Sequence, residues 1–282
     1  MDRLRAKLLA RGLAVRNRWS RRQVTGTEDV VVSLTSYGSR LKTVHIAVES
    51  IARSRVRPAR FILWVSDAGF VDQLPPSLER LRRRGLEIRA CPDYGPHKKQ
   101  FLYASLLASH KIPLVVCDDD AIYPRQWLRG LMSAHRRHPD LVLAYRAHLV
   151  RTEGDVILPY SAWPPAVSEI ASYAVMGTGV GGLLYPPLLL DAIREEGEAF
   201  IVKAPRADDV WVHYVSVRAG IRTMQIASRW RDYPQIPRTQ VGTLYGRNVR
   251  DGGNDTQVRQ TYGAEEIHRI AQSIPHSYVA RS

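Results

Sequence analysis

Short apolar runs alternate with amphipathic segments through the first 150 residues. Runs rich in Val, Ile, Leu and aromatic residues predict strands over 29–34, 61–65, 86–88, 114–117 and 141–144. Helical apolar spacing predicts helices between them, over 42–55, 77–84, 97–109 and 127–137. Strands that alternate with helices indicate βαβ units. The predicted fold class is therefore α/β, one domain with a mostly parallel central sheet flanked by helices.

The two ends of the chain depart from this alternation. Residues 1–22 hold eight Lys and Arg residues against one Asp, and we predict a basic N-terminal helix or tail over 1–25. Five apolar side chains share a narrow arc of that helix: Met1, Leu4, Leu8, Val15 and Trp19. Such a helix is either solvated or lies on an anionic membrane surface. We assign 26–282 to one domain, with a nucleotide-binding half at 26–150 and an acceptor half, richer in Pro, Gly and aromatic residues, at 151–282.

Composition narrows the class of protein. The 282 residues are 45% hydrophobic, which excludes a disordered or fibrous chain. The net charge of +14 suggests a nucleic-acid partner, but half of it lies in 1–22 and no recognition module accompanies it, so we expect none. A second basic cluster at 80–84 is interpreted as a solvated face.

The cysteine content and the apolar stretches bear on the compartment. Two cysteines cannot form a disulfide framework, and no secretory signal is visible. The uncharged stretch 170–190 contains four glycines and a Pro-Pro pair, which argues against a spanning helix. We expect a cytoplasmic protein, peripheral on the inner face of the cell membrane if residues 1–22 bind there.

Polar residues follow each predicted strand, at the sheet edge where α/β proteins bind ligands. The turn after the first strand could hold a nucleotide base or phosphate. The acid after the second could contact ribose or begin a turn. The lysine pair after the third opens a helix, where a bound phosphate would offset the unfavourable position of cations; a solvated surface is the alternative. The candidate nucleotide-binding residues are Thr35, Tyr37, Arg40, Asp67, Lys98 and Lys99.

An acidic triplet, Asp118, Asp119 and Asp120, follows the fourth strand. Adjacent carboxylates repel one another unless a cation is present. Oxygen ligands suit Mg²⁺ or Mn²⁺, which complete their coordination with substrate phosphates. The sequence predicts a metal held by Asp118 and Asp120, with an acidic surface turn as the alternative.

Two further motifs lie beyond residue 150. Asp208 and Asp209 precede a helical pattern and are either a helix cap or a general base. Residues 177–182 match G-x-G-x-x-G, which in a dinucleotide site is followed by a helix, but we expect that the Leu-Leu-Tyr-Pro-Pro that follows here cannot open a helix. We interpret them as backbone that closely approaches a ligand or another strand.

The ordered set of these motifs resembles the GT-A type glycosyltransferases, in particular the bacterial family 2-like members. The acidic triplet is similar to their Asp-x-Asp metal motif, and residues 94–99 resemble their Gly-Pro-x-x-Lys element. Residues 208–211 look like their Glu-Asp-Val type motif, and 177–182 lie where they carry a glycine-rich stretch. The resemblance covers about 29–225 and implies a Rossmann-like GT-A domain.

The resemblance also implies an activity. A sugar would pass from a nucleotide-diphosphate sugar to a hydroxyl of a saccharide or glycolipid, with inversion, as in polysaccharide biosynthesis. It implies Mn²⁺ or Mg²⁺ on Asp118 and Asp120 and places Asp119 at the ribose or as a positioning residue. Asp209 would be the base, with Asp208 beside it.

Several assignments remain open after the resemblance. The donor sugar would lie against Gly181 and Gly182. Candidates for a third metal ligand are His268 and His276, and candidates for an acceptor platform are Trp163, Tyr173 and Trp211.

Two other functions remain as alternatives. Gly38-Ser39-Arg40-Leu41 faintly resembles the Gly-x-Arg-Leu loop of nucleotidyltransferases that make sugar nucleotides. A non-catalytic basic nucleic-acid-binding protein is the other.

Overall fold

The computed structural model describes residues 3–167, 169–237, 239 and 252–274. Its strands are β1 Glu28–Thr35, β2 Pro58–Val65, β3 Leu86–Ala90, β4 Leu114–Val116, β5 Val142–Ala144, β6 Ala147–Leu149, β7 Thr152–Glu153, β8 Val156–Ile157, β9 Val175–Gly177, β10 Leu183–Tyr185 and β11 Thr223–Gln225. Its α-helices are α1 Arg3–Trp19, α2 Val44–Ala52, α3 Ala68–Asp72, α4 Pro76–Arg82, α5 Lys98–Ala104, α6 Trp127–Arg137, α7 Pro187–Glu196, α8 Phe200–Lys203, α9 Asp208–Arg218, α10 Gly253–Thr261 and α11 Ala264–Gln272.

Seven strands form the central sheet, in the order β11-β5-β10-β4-β1-β2-β3. Strand β1 pairs in parallel with β2 and β4, β2 with β3, and β5 with β11. Only β10 among these strands is antiparallel to its neighbours, β4 and β5. The predicted α/β class with a mostly parallel sheet is confirmed. All five predicted strands belong to this sheet, and β10 and β11 enter it from the half of the chain where the pattern was irregular.

Both faces of the sheet are buried, which explains the continuous apolar runs. Along β1, Val31 packs in a core with side chains of α5, α7 and α9. Its neighbours Val30 and Val32 point to the opposite face and pack with α2, α4 and α6. Helices thus cover the two faces and leave the carboxyl ends of β1 and β4 at an open edge.

Local structure differs from the predictions in several places. The predicted helix 97–109 ends at Ala104 and is preceded by a 3-10 turn over Gly95–His97, and the short helix α3 was not predicted. The stretch 170–190 contains β9, a 3-10 turn over Gly179–Gly181, β10 and the start of α7. The expectation that no helix opens after the glycine-rich segment was wrong: α7 begins at Pro187, because proline is well accommodated at the first position of a helix. Within the described part of the chain, no helix is long and apolar enough to cross a membrane.

The predicted N-terminal helix forms as α1 and packs on the domain. Ala10 and Leu13 are buried against Ile46 and its neighbours. The fully buried Glu49 accepts hydrogen bonds from Asn17 at 3.3 Å, from Arg16 at 3.1 Å and from Arg84. This buried carboxylate therefore ties α1 to α2 and to the turn after α4.

The interpretation of 80–84 as a solvated face holds for Arg82 and Arg83, whose side chains are 55% and 69% exposed, but it was wrong for Arg80 and Arg84. Arg84 is only 5% exposed because its guanidinium neutralises Glu49 in the interior. Arg80 donates to Asn17 Oδ1 at 2.8 and 3.0 Å. Part of the basic excess therefore holds α1 in place and is not available to a partner.

Candidate active site

A cleft of about 1120 Å³ opens beyond the carboxyl ends of β1 and β4. Because parallel strands end at the same edge of a sheet, the turns that follow them meet there. Ten of the residues predicted for the site line this cleft: Thr35, Tyr37, Arg40, Lys98, Lys99, Asp118, Asp119, Asp120, Asp208 and Asp209. The fold thus joins motifs that lie up to 174 positions apart in the chain.

Arg40 lies against the acidic triplet. Its Nη1 is 2.8 Å from Asp119 Oδ1 and its Nη2 is 3.2 Å from Asp120 Oδ2. Ser36 Oγ donates to the other oxygen of Asp119 at 2.5 Å. Burial raises the pKa of Asp119, and Arg40 opposes that rise. With both oxygens occupied, Asp119 is suited to hold Arg40 and the turn after β1 in position.

Lys99 joins the two acidic motifs. Its Nζ is 3.2 Å from Asp118 Oδ1 and 3.2 Å from Asp208 Oδ2. Burial disfavours the charged form, but the carboxylates of Asp208, Asp118 and Asp209 outweigh it and hold the pKa of Lys99 well above its usual value. The ammonium therefore remains charged at the floor of the cleft.

Lys98 has a separate partner. Its Nζ donates to Asp93 Oδ1 at 2.6 Å and to Ser66 Oγ at 3.2 Å. Both lysines at the start of α5 are therefore paired with carboxylates. A phosphate bound there would contact two existing ion pairs and not two unpaired cations.

Asp209 lies in the first turn of α9, where the helix dipole favours a carboxylate. The Gly179 amide donates to its Oδ1 at 3.1 Å and to its Oδ2 at 3.2 Å. Burial, followed by the neighbouring charge of Asp208, raises the pKa of Asp209 to about 8. A carboxyl that titrates near neutrality in a cleft is suited to proton transfer.

The glycine-rich segment meets the cleft through Gly179. A methyl group at Gly179 would lie 3.0 Å from Lys99 Nζ and 3.4 Å from Asp118 Oδ1, so only glycine leaves this space open. Gly181 and Gly182 do not line the cleft: added methyl groups there would meet Tyr145 at 3.0 Å and Trp127 at 2.5 Å. The predicted close approach of this backbone to other elements is confirmed, but its partners at 181 and 182 are core aromatics.

Asp67 is also absent from the cleft lining. Its Oδ1 accepts the Phe70 amide at 3.0 Å and caps the short helix α3. The sequence left two interpretations of Asp67, a ribose contact or the start of a turn. In the structure its side chain has the second role.

The carboxylates of Asp118 and Asp120 fit a hard divalent cation in ligand chemistry, since both line the cleft with side chains 28% and 14% exposed. Among the described residues, no group of three His, Cys, Asp or Glu side chains is arranged to hold a metal. Mg²⁺ is commonly held by one or two carboxylates plus substrate phosphates, a ligand set that these two residues match in kind, although each carboxylate is paired with Lys99 or Arg40 here. His268 is exposed on α11 and does not line the cleft, and His276 lies outside the described residues.

An aromatic group, of which the sequence predicted only Trp163, lines the other end of the cleft. It consists of His148, Tyr160, Trp163 and Trp230, with neighbouring ring centroids 4.9–5.1 Å apart. The Arg146 guanidinium lies 4.1 Å from the Trp230 ring centroid. These residues come from irregular segments, where no periodicity could indicate which rings share a surface.

Of the three rings predicted as an acceptor platform, only Trp163 lines the cleft. Trp211 is 1% exposed within the core, because α9 is buried on nearly all sides. Tyr173 does not line the cleft either, and its hydroxyl donates to the Gly220 carbonyl at 3.1 Å.

Comparisons with known proteins bear on the fold. No protein-family model and no curated protein sequence matches the chain. Among solved structures, the mannosyltransferase PcManGT from Pyrobaculum calidifontis, in complex with GDP-Man and Mn²⁺, is similar at a TM-score of 0.50 and 12% identity over 98% of this chain and 88% of that one. S. aureus TarS 1–349, in complex with UDP-GlcNAc, also gives a TM-score of 0.50 and 12% identity, over 86% of this chain and 70% of that one.

Another TarS 1–349 structure matches 72% of this chain at a TM-score of 0.46 and 13% identity. In that match the chain spans 59% of the TarS fragment. Nucleotidyltransferases are also among the similar structures. At these identities the likeness shows the fold alone: this chain has a GT-A-like α/β fold, similar to that of the PcManGT and TarS structures.

Proposed function

We propose that the protein is a glycosyltransferase that moves a sugar from a nucleotide-diphosphate sugar to a hydroxyl of a saccharide or glycolipid acceptor. One observation carries the proposal: Lys99 holds the acidic triplet and the acidic pair together around Gly179, at the cleft edge of a GT-A-like sheet. Sugar transfer requires that the donor diphosphate lies beside cations and the attacking hydroxyl lies beside a base. This junction provides both kinds of group close together.

The residues divide the work as follows. Tyr37 is 47% exposed in the cleft and offers a ring face to the nucleotide base. Thr35 and Arg40 lie beside it for ribose and phosphate contacts. Asp209 accepts the proton of the acceptor hydroxyl, and attack from its side, opposite the departing nucleotide, gives inversion.

Lys98 and Lys99 supply positive charge near the departing diphosphate. Mn²⁺ or Mg²⁺ bound by Asp118 and Asp120 would neutralise further charge on it. Asp208 keeps Lys99 at the junction through the 3.2 Å ion pair.

The aromatic group indicates where the acceptor binds in the cleft. Sugar rings stack on aromatic faces. Trp230 lines that end of the cleft and is partly exposed, whereas Trp163 is only 4% exposed and supports the group from the core. Burial lowers the pKa of His148 to about 4, so it is neutral at pH 7 and can hydrogen-bond a sugar hydroxyl. A saccharide or lipid-linked acceptor in polysaccharide biosynthesis, at the inner face of the cell membrane, fits these groups.

The test is calorimetry with a panel of nucleoside diphosphates, with and without Mn²⁺, followed by sugar-transfer assays with the donor whose nucleotide binds. We expect metal-dependent binding of one nucleotide, and transfer that is lost in Asp209→Asn but kept in Asp155→Asn, an exposed control carboxylate. Pyrophosphate release from a nucleoside triphosphate and a sugar phosphate, without sugar transfer, would instead support the nucleotidyltransferase alternative. Absence of nucleotide binding would contradict both enzymes.

A further inference from the structure

The outer face of α1 carries an exposed apolar stripe. Leu4, Leu8, Val15 and Trp19 are 61%, 58%, 59% and 73% exposed. Their spacing of four and seven residues places them on one side of the helix. The opposite side, with Leu13, packs on the domain. The helix therefore has two apolar faces, and in the described part of the chain one of them packs on the domain while the other is exposed.

A basic groove of about 360 Å³ adjoins this stripe and shares Leu8 with it. Four of its lining residues are arginines, and none is acidic. Arg5 and Arg16 come from α1, Arg53 follows the end of α2, and Arg125 precedes α6. Three separate segments thus bring their positive charges to one place.

Two guanidinium groups in the groove have buried N–H groups that lack a partner among the described residues. These are Nη2 of Arg16 and Nε of Arg53. The same side chains are fixed through their other nitrogens: Arg53 Nη2 donates to the Tyr123 carbonyl at 3.1 Å, and Arg16 Nε to Glu49 at 3.1 Å. Buried donors without acceptors are costly. An anion that draws the Arg16 and Arg53 side chains toward the groove would give these N–H groups acceptors.

Electrostatics point to the same class of ligand. Burial, and then the charges of Arg125 and Arg16, lower the pKa of Arg53. A bound anion would reduce the repulsion among these arginines, and Arg binds phosphate with directed hydrogen bonds.

We propose that this groove binds the headgroup phosphate of an anionic phospholipid while the stripe enters the membrane interface. A lipid accounts for both features. Its phosphate is covalently linked to its acyl chains, and the groove is likewise continuous with the stripe through Leu8. A free phosphate would leave the stripe exposed to water. Lys7, Arg11 and Arg18 flank the stripe and add attraction to an anionic surface. This inference does not depend on the proposed enzymatic activity.

The experiment measures binding of the full chain to vesicles of phosphatidylcholine alone or mixed with phosphatidylglycerol. The main variant is Arg5→Gln/Arg125→Gln, because both residues are exposed and their loss spares the core. Its matched control is Arg137→Gln/Arg259→Gln, which removes two exposed arginines elsewhere. A second variant, Leu8→Ser/Trp19→Ser, removes apolar contact but no charge.

We expect binding to the anionic vesicles and little to phosphatidylcholine alone. At about 1 kcal/mol for each arginine near an anionic surface, the main variant should bind about 30-fold more weakly, and the control less than about twofold. The apolar variant should also lose binding. Thermal melts of each variant verify folding.

Three results would overturn the proposal: equal losses in the main and control variants, undiminished binding by the apolar variant, or no preference for anionic vesicles. Inorganic phosphate alone is the last arm. Stabilisation of the protein by phosphate that is lost in the main variant, together with no vesicle binding, would assign the groove to a soluble anion and refute the lipid.

Discussion

The pKa of Asp209 makes a specific prediction about pH. This carboxyl must be deprotonated to act as a base, and burial together with Asp208 raises its pKa to about 8. The dependence of kcat/KM on pH reports the free enzyme, which is the state that the structure describes. Activity should therefore rise with pH and level off above the pKa.

The magnitude follows from the titration curve. With a pKa of about 8, about 1% of Asp209 is ionised at pH 6, about 9% at pH 7 and half at pH 8. We expect kcat/KM to rise about tenfold from pH 6 to pH 7, and about tenfold again from pH 7 to a plateau above pH 9. Asp209→Asn should lower kcat by about 10²–10⁴-fold.

Asp208→Asn tests the cause of the shift. It removes the nearest negative charge and releases Lys99 from its 3.2 Å ion pair, and both changes favour the ionised form of Asp209. The rising limb should move down by about one pH unit or more. The assay is initial-rate sugar transfer from pH 5.5 to 9.5 at constant ionic strength, with Asp155→Asn as the control. A flat profile in the wild type, or a limb that moves up in Asp208→Asn, would refute this reasoning.

Three further predictions test the site and its frame. Asp120→Ala should abolish sugar transfer without changing the melting temperature. When both proteins are treated with a chelator and then with Mn²⁺, only the wild type should regain activity. Full turnover by the variant would contradict a role of Asp120 in the site. Glu49→Ala leaves Arg84 buried without its counter-ion and should lower the free energy of unfolding by about 3–5 kcal/mol, measured by urea denaturation; a loss below about 1 kcal/mol would show that water replaces the carboxylate. Gly182→Ala adds a methyl 2.5 Å from Trp127 at a residue with φ of +93°, and should cost about 2–4 kcal/mol in the same assay; a neutral result would mean that the turn rearranges.

The pattern of the first 150 residues predicted most of the scaffold. Strands β1, β2, β4 and β5 were found because each contains a short apolar run buried on both faces, so local composition reports their environment directly. The edge strand β3 is only partly buried and was found from Leu86 and Ile88. The position of β10 between β4 and β5 could not be found in this way. This strand, Leu183–Tyr185, lies between a glycine-rich turn and a proline pair. The local sequence does not indicate with which strands it pairs.

Sequence alone indicated the charged groups of the cleft, because the acids, lysines and arginine stand at strand ends and at the start of a helix, but it did not indicate the aromatic group at the other end. The tertiary structure decided which of these groups neutralise one another, and it selected Gly179 rather than Gly181 or Gly182 for the cleft. It also decided that α1 packs with one face and exposes the other beside Arg53. Charges and backbone interact across space over a few ångströms, and folding alone brings residues that are distant in the chain within that range.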